Sequence, residues 1–149
     1  MSDLLLATAI RPAKPVPIRW SDFSIAPVLA PVSKGGNLDI IWENYELGVR
    51  SGQTQYAVSI TFQRQRTASG RIAAAIIGFA ANAVGIDRHD DRVTFSFERA
   101  GPPAGAAFVD HVAIALRDTP SGEYRLTLEV TDQSSGRTAR SIATLAIHE

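Results

Sequence analysis

The sequence predicts an all-β protein, an immunoglobulin-like antiparallel β-sandwich of about eight strands with one short helical insertion at about residues 71–83. The C-terminal residues 120–149 read as two β-rich runs around the turn Asp132-Gln133-Ser134-Ser135-Gly136, which is typical of a hairpin. Residues 54–64 alternate apolar and polar side chains, as in a half-buried antiparallel strand. Turn signals separate the remaining runs at the short spacing of a sandwich.

The strands follow from alternation and from the turn residues between them. Turns are predicted at residues 33–37, 50–53 and 101–105, which are rich in glycine, proline and small polar residues. Residues 11–31 hold five of the eight prolines and are therefore expected to form edge strands and extended connections. The predicted strands are residues 4–10, 23–28, 38–47, 54–64, 92–98, 108–116, 123–131 and 137–147.

One predicted strand, residues 38–47, is apolar on both faces, which indicates a central strand covered on two sides. One face carries Leu38, Ile40 and Trp42, and the other carries Ile41, Tyr45 and Leu47. The prediction places Trp42 in the core, because it shares a face with Ile40.

Residues 71–83 do not alternate. Ile72, Ile76, Phe79 and Ala83 recur at helical spacing in an alanine-rich run, and alanine favours helix over strand. The segment is therefore predicted to be a short helix between two strands. The glycine at position 78 and the isoleucines leave a buried strand as the alternative.

Composition excludes several functions. The chain of 149 residues suits one domain, residues 1–149, and it has no cysteine for a disulfide, a thiolate metal site or a thiol nucleophile. Fifteen basic and fifteen acidic residues are scattered without a basic stripe, so nucleic acid is not an expected partner. Residues 72–86 are too short to span a bilayer, and the N-terminus lacks the basic start of a signal peptide.

Several blocks together resemble a known bacterial module. They resemble the C-terminal β-sandwich accessory module of large proteins from Gemmatimonadota-like and Acidobacteria-like lineages, in which a Gly-Trp-x-Thr-Asp domain or a peptidase domain lies upstream. The chain has neither upstream motif, so the resemblance implies a non-catalytic accessory module excised from a longer, exported parent chain, and it supplies no catalytic residues. The blocks are residues 2–7, 42–47, 52–56, 120–128, 130–132 and 135–138.

The densest polar cluster is residues 87–92. Asp87, Asp90 and Asp91 are a weak candidate for a calcium site, because carboxylate oxygens suit hard cations. His89 with Asp90 could alternatively bind a transition metal or act as a base. The spacing matches no known calcium loop, and Arg88 and Arg92 neutralise the carboxylates, so a charged loop is the preferred interpretation.

The remaining ionisable pairs do not predict catalysis. Adjacent residues of a strand face opposite sides, so Asp110 and His111 are not expected to form a dyad, and His111 is expected to be partly exposed. Glu43 and Glu46 also face opposite sides and are predicted to be solvated at a strand end, not paired for glycoside hydrolysis. We therefore expect no enzymatic activity, no catalytic residue and no cofactor. The third histidine, His148, is expected to be solvated.

Two surfaces remain as candidates for binding. Trp20 and Tyr45 could stack on a sugar ring, and this makes a carbohydrate-binding module the alternative function. The leading prediction is a protein–protein or inter-domain contact through the apolar insertion or through a sheet edge. The interface residues predicted in the apolar segment 72–86, which contains most of the insertion, are Ile72, Ile76, Phe79 and Ile86.

Overall fold

The computed structural model describes residues 1–65, 75–77, 85–89, 91–102, 107–117 and 119–149, with the backbone alone at Arg50 and at residues 75–77. The described residues form twelve strands and one 3-10 turn, Trp20–Asp22. The strands are β1 (Leu5–Pro12), β2 (Phe23–Pro27), β3 (Val32–Ser33), β4 (Asn37–Asn44), β5 (Val49–Arg50), β6 (Gln53–Arg64), β7 (Ala75–Ile77), β8 (Gly85–Arg88), β9 (Arg92–Gly101), β10 (Phe108–Ala115), β11 (Gly122–Asp132) and β12 (Thr138–His148).

The strands build two sheets that pack face to face. The five-stranded sheet has the order β2-β1-β4-β10-β7, and the seven-stranded sheet has the order β3-β12-β11-β6-β9-β8, with β5 paired to β6. The pairings are antiparallel except for a short parallel contact between β12 and β3. The β-sandwich class is confirmed, and the C-terminal hairpin pairs in one register from Gly122↔Ile147 to Thr131↔Thr138.

The core lies between the two sheets and uses the predicted alternation. On β6 the apolar side of the pattern is buried and the small polar side faces out. Trp42 is fully buried, and its indole N–H donates to Asn44 at 3.2 Å, so its predicted place in the core is confirmed. The inward side chains are Leu38, Ile40, Trp42, Tyr56, Val58, Ile60, Phe62, Val93, Phe95, Phe97, Val112, Ile114, Tyr124, Leu126, Leu128 and Val130.

The outer side of β4 is also covered, as its two apolar faces predict. Ile41 and Glu43 are buried although they point away from the core. The connection between β1 and β2 and the start of β2 lie over this side: the ring of Phe23, the first residue of β2, packs edge-on against His111, with centroids 6.1 Å apart. The carbonyl of Ile18 accepts a hydrogen bond from the amide of Val109 on β10 at 2.6 Å.

The prediction of a helical insertion is wrong for the part of it that the structure describes. Residues Ala75–Ile77 form the strand β7, which extends the five-stranded sheet by pairing with Ala113–Ala115 of β10. The β-branched isoleucines suit a strand, and the side of β10 away from β4 offers backbone partners. The other residues of the predicted insertion, Ile72 and Phe79 among them, lie outside the described residues. Within the described part of the chain, no helix is long and apolar enough to cross a membrane.

Candidate functional site

The two predicted stacking residues, Trp20 and Tyr45, come together at the end of β4. Tyr45 follows the strand and is 40% exposed, whereas Trp20 begins the 3-10 turn and is half-buried. The Tyr45 hydroxyl donates to Glu43 Oε2 at 2.6 Å and accepts a hydrogen bond from the Trp20 indole. The bond to the Glu43 carboxylate raises the pKa of Tyr45. The polar atoms of both aromatics thus bond within the protein.

Glu43 is only 1% exposed, so its predicted solvation is wrong. The β1–β2 connection covers it, and Arg19 of that connection forms an ion pair with its carboxylate. Glu46 is exposed, with a left-handed backbone angle of φ 51°. The two carboxylates thus differ in environment, one buried and ion-paired and the other exposed. The sequence gives little sign of a carboxylate buried by a distant connection.

A second polar cluster ties the two sheets together in the core. Asp110 of β10 is 5% exposed and accepts a hydrogen bond from the Tyr56 hydroxyl of β6 at 2.8 Å. Arg99 of β9 pairs with the other oxygen of the same carboxylate, and the amide of His111 donates to it at 2.8 Å. Burial raises the pKa of Asp110, and Arg99 opposes that rise. Burial and the Asp110 charge raise the pKa of Tyr56, so its hydroxyl remains a donor.

His111 does not join this cluster through its ring. Its side chain is exposed on the outer face of the five-stranded sheet, opposite to Asp110. The two side chains therefore lie on opposite sides of β10, as the alternation of a strand predicts. His148 is also exposed, and its ring lies 3.3 Å from the hydroxyl of Ser33.

The predicted charged loop at residues 87–92 is partly strand, since Asp87 and Arg88 lie on β8 and Arg92 begins β9. Asp87 lies 3.3 Å from His89 and 4.0 Å from Arg92, and all three side chains are well exposed. Asp91 is exposed, and Asp90 lies outside the described residues. Among the described residues, no three or more histidine, aspartate or glutamate side chains come together in a group that could hold a metal ion.

Of the four predicted interface residues, one has a described side chain. Ile86 lies on β8, at one edge of the seven-stranded sheet, and is 50% exposed. Ile76 is part of β7, where the backbone alone is described. Ile72 and Phe79 lie outside the described residues. Their role as an interface stays a prediction, and the exposure of Ile86 is compatible with it.

A trough on the outer face of the seven-stranded sheet was missed by sequence reasoning. It has a volume of about 440 Å³ and crosses β6, β9 and β11 beside β8. Small side chains form its floor, chiefly Ala57, Ser59 and Ser96, and its ionisable lining residues are Glu98 and Glu129. The sequence signal that could have indicated it is the run of small outward-facing residues on β6 and β9. Small side chains flanked by longer ones leave a depression in the surface of a sheet.

A third buried carboxylate holds the turn between β11 and β12. Asp132 accepts hydrogen bonds from the hydroxyls of Ser134 and Ser135 at 2.8 and 2.7 Å, and from the amide of Gly48 at 3.0 Å. Burial alone would raise the pKa of Asp132, but these bonds and one from the Ser134 amide hold it well below its usual range. Asp132, like Glu43 and Asp110, thus serves contacts within the fold.

Comparisons with known proteins show no family. No family model matches the chain, and no curated protein matches it. The similarity to the bacterial accessory module, and with it an exported parent chain, therefore stays a prediction.

Three bacterial structures are among the solved structures similar to this chain. A cohesin module from a family 33 glycoside hydrolase of Clostridium perfringens is 14% identical over 100% of this chain and 99% of its own, with a TM-score of 0.40. The C-terminal domain of the AgI/II polypeptide BspA of Streptococcus agalactiae is 9% identical over 100% of this chain and 50% of its own, with a TM-score of 0.46. The major pilin SpaD of Corynebacterium diphtheriae is 4% identical over 96% of this chain and 33% of its own, with a TM-score of 0.41. Structural similarity at this level shows neither an activity nor a partner of this chain.

Proposed function

We propose that this domain is a non-catalytic interaction module that binds an extended, basic segment of another protein along β8 and the adjacent trough. The observation that carries the proposal is the trough, an open depression of about 440 Å³ beside an exposed edge strand. A depression that adjoins a sheet edge can accept side chains while the edge pairs with the backbone of a bound segment.

The edge strand supports this geometry. All four residues of β8 are exposed, and no described strand pairs with its side away from β9. The amide of His89 donates to the carbonyl of Arg92, so the bonded pairs of the β8–β9 ladder involve the odd-numbered residues of β8. The backbone N–H and C=O of Ile86 therefore point to the open side, where an added strand would bond to them.

Charge indicates the chemistry of the bound segment. The two ionisable residues that line the trough are both acidic, Glu98 and Glu129. Glu98 accepts a hydrogen bond from Gln133 at 2.7 Å, and Glu129 lies 3.7 Å from Arg140, so each carboxylate has a partner that limits its movement. A lysine or arginine side chain would bury its methylene stem against the small floor residues and place its charge beside the glutamates.

A library of random ten-residue peptides displayed on phage, selected on the immobilised domain, tests the proposal. We expect the enriched peptides to carry lysine or arginine and to bind more weakly as salt is added. Calorimetry should show that Ser96→Trp, which fills the trough, abolishes binding of these peptides. The matched control Gln63→Trp lies on the same outer face beyond the trough and should bind them as the native chain does. Enriched peptides that bind Ser96→Trp as well as the native domain would refute the proposal.

Carbohydrate binding is the second candidate, and the meeting of Trp20 and Tyr45 favours it. Their polar atoms are bonded internally, the Tyr45 side chain is partly exposed, and Arg19 beside them has a half-exposed side chain. Aromatic rings in such a setting can stack on sugar rings. Calorimetry with a panel of neutral oligosaccharides should then detect binding that is lost in Trp20→Ala. No heat with any saccharide would remove this candidate.

A further inference from the structure

The opposite edge of the seven-stranded sheet carries a longer open strand. The strand β12 pairs with β11 along its length, but on its other side it meets β3 only at Ile147 and His148. Among the described residues, no strand pairs with the open side of residues 138–146. Leu4 approaches this strand, but its amide bonds to the hydroxyl of Ser141 and not to the backbone edge.

The backbone groups that face this edge follow from the hydrogen bonds of the hairpin. The amide of Asp132 donates to the carbonyl of Arg137 at 2.9 Å, so the bonded pairs of the ladder join odd-numbered residues of β12 to β11. The even-numbered residues therefore direct their N–H and C=O groups to the open side. The carbonyl of His148 agrees with this, since it accepts a bond from the amide of Lys34, which follows β3.

Residues 138–146 have few of the features that usually prevent strand pairing. Natural edges are short, interrupted by proline or lysine, or bulged. The other edge strands are shorter: β2 ends at Pro27, and β3, β7 and β8 have two to four residues. Residues 138–146 hold no proline and no lysine, and their one charge, Arg140, lies 3.7 Å from Glu129 of β11. Ile142, at the centre, is 50% exposed.

We propose that a second copy of this chain pairs with this edge, β12 against β12, in an antiparallel ladder across a twofold axis at Ile142. A twofold axis forms every contact twice, so one self-complementary strand is sufficient. In this register Ile142 faces its counterpart, Arg140 faces Thr144, and Thr138 faces Ala146. Like charges are not opposed, and the formal net charge of zero leaves little long-range repulsion between copies.

This surface and partner are separate from the basic segment proposed for the trough. The trough lies beside β8, and β12 is separated from β8 by three strands of the same sheet. The pairing of two copies would join their seven-stranded sheets into one continuous sheet and leave both troughs open. Failure of either proposal therefore leaves the other to be judged on its own measurements.

Two variants distinguish pairing of β12 with β12 from non-specific association. Thr144→Pro removes an amide that points to the open side, so the ladder with β11 stays intact while the ladder between copies loses a donor. Ile86→Asp changes an isoleucine of equal exposure at the opposite edge. Light scattering coupled to size exclusion, over a dilution series, should show a dimer for the native chain and Ile86→Asp. Thr144→Pro should be a monomer with native circular dichroism.

A cross-link tests the register. Directly opposed residues of a bonded antiparallel pair have Cα atoms about 5.5 Å apart, within the range that a disulfide spans. Because the chain has no cysteine, Ile142→Cys should form a disulfide-linked dimer under mild oxidation, and Ile86→Cys should not. A native chain that is monomeric throughout the dilution series, or a dimer that persists in Thr144→Pro, would overturn the proposal.

Discussion

Removal of the Tyr56 hydroxyl tests how far a buried polar contact between the sheets stabilises the fold. In Tyr56→Phe, Asp110 keeps Arg99 and the His111 amide but loses the donor at 2.8 Å. A hydrogen bond to a charged group contributes about 1.5–3 kcal/mol, and this one is shielded from solvent, because Tyr56 is 1% exposed. We therefore expect the free energy of unfolding to fall by about 1.5–3 kcal/mol.

The size of the chain converts this loss into a shift of melting temperature. For a domain of this length, about 1 kcal/mol corresponds to roughly 2–4 °C, so Tyr56→Phe should melt about 3–12 °C below the native chain. Asp110→Ala should cost more, about 3–5 kcal/mol, because it leaves both the guanidinium of Arg99 and the Tyr56 hydroxyl without the carboxylate. The exposed substitution Gln63→Ala is the control and should stay within about 0.5 kcal/mol of native.

Urea unfolding of the single and double variants isolates the contact. The cycle formed by Tyr56→Phe and Asp110→Asn should give a coupling energy of about 0.5–3 kcal/mol with unchanged denaturant slopes. Strictly additive effects, with Tyr56→Phe no more destabilised than Gln63→Ala, would refute the reasoning that this contact joins the sheets.

Three further outcomes can be checked by melting experiments. Gly48→Ala should lower the melting temperature strongly, because an added Cβ would overlap the Ser134 hydroxyl and lie 3.0 Å from the Ser134 Cβ. In the control Gly85→Ala the added Cβ meets nothing nearer than 3.6 Å, so its melting temperature should be close to that of the native chain. Equal melting temperatures for the two variants would contradict this. The pKa of Asp132 is lowered from its unfolded value of 3.8, so its contribution to the free energy of unfolding is complete above pH 3.8 and is lost as the pH falls below that value. Asp132→Asn should therefore reduce the fall of the melting temperature with acid. A fall as steep as that of the native chain would count against this reasoning. Calcium at about 1 mM should leave the melting temperature unchanged, because Asp87 already faces basic side chains; a higher melting temperature would instead indicate a bound ion.

The sequence predicted those parts of the fold that depend on local alternation. Residues 54–64 and the C-terminal hairpin lie where their patterns place them, because burial of one face fixes strand register. The two apolar faces of residues 38–47 predicted a strand covered twice, and the structure buries both Ile40 and Ile41. Both signals come from neighbours in the chain.

The features that sequence reasoning missed depend on distant contacts. Glu43 is buried by Arg19 from a separate connection, and no local pattern around it indicates that cover. A helix was predicted at residues 71–83 from the helical spacing of apolar residues, although Ile76 and Ile77 favour a strand. The sequence does not show that β10 has a free edge with which these residues can pair. The trough beside Ser96 arises from small residues on different strands that become neighbours only through pairing.

Amide hydrogen exchange, followed residue by residue, tests the central claim that the edges of the seven-stranded sheet are binding surfaces. The exchange rates of the domain would be measured at low and at high protein concentration. They would be measured again in the presence of a basic peptide enriched by the phage selection. The account predicts that the peptide slows exchange at Ile86, and that high concentration slows it at Ile142 and Thr144, whose amides point to the open edge. Unchanged exchange at all three amides under every condition would contradict it.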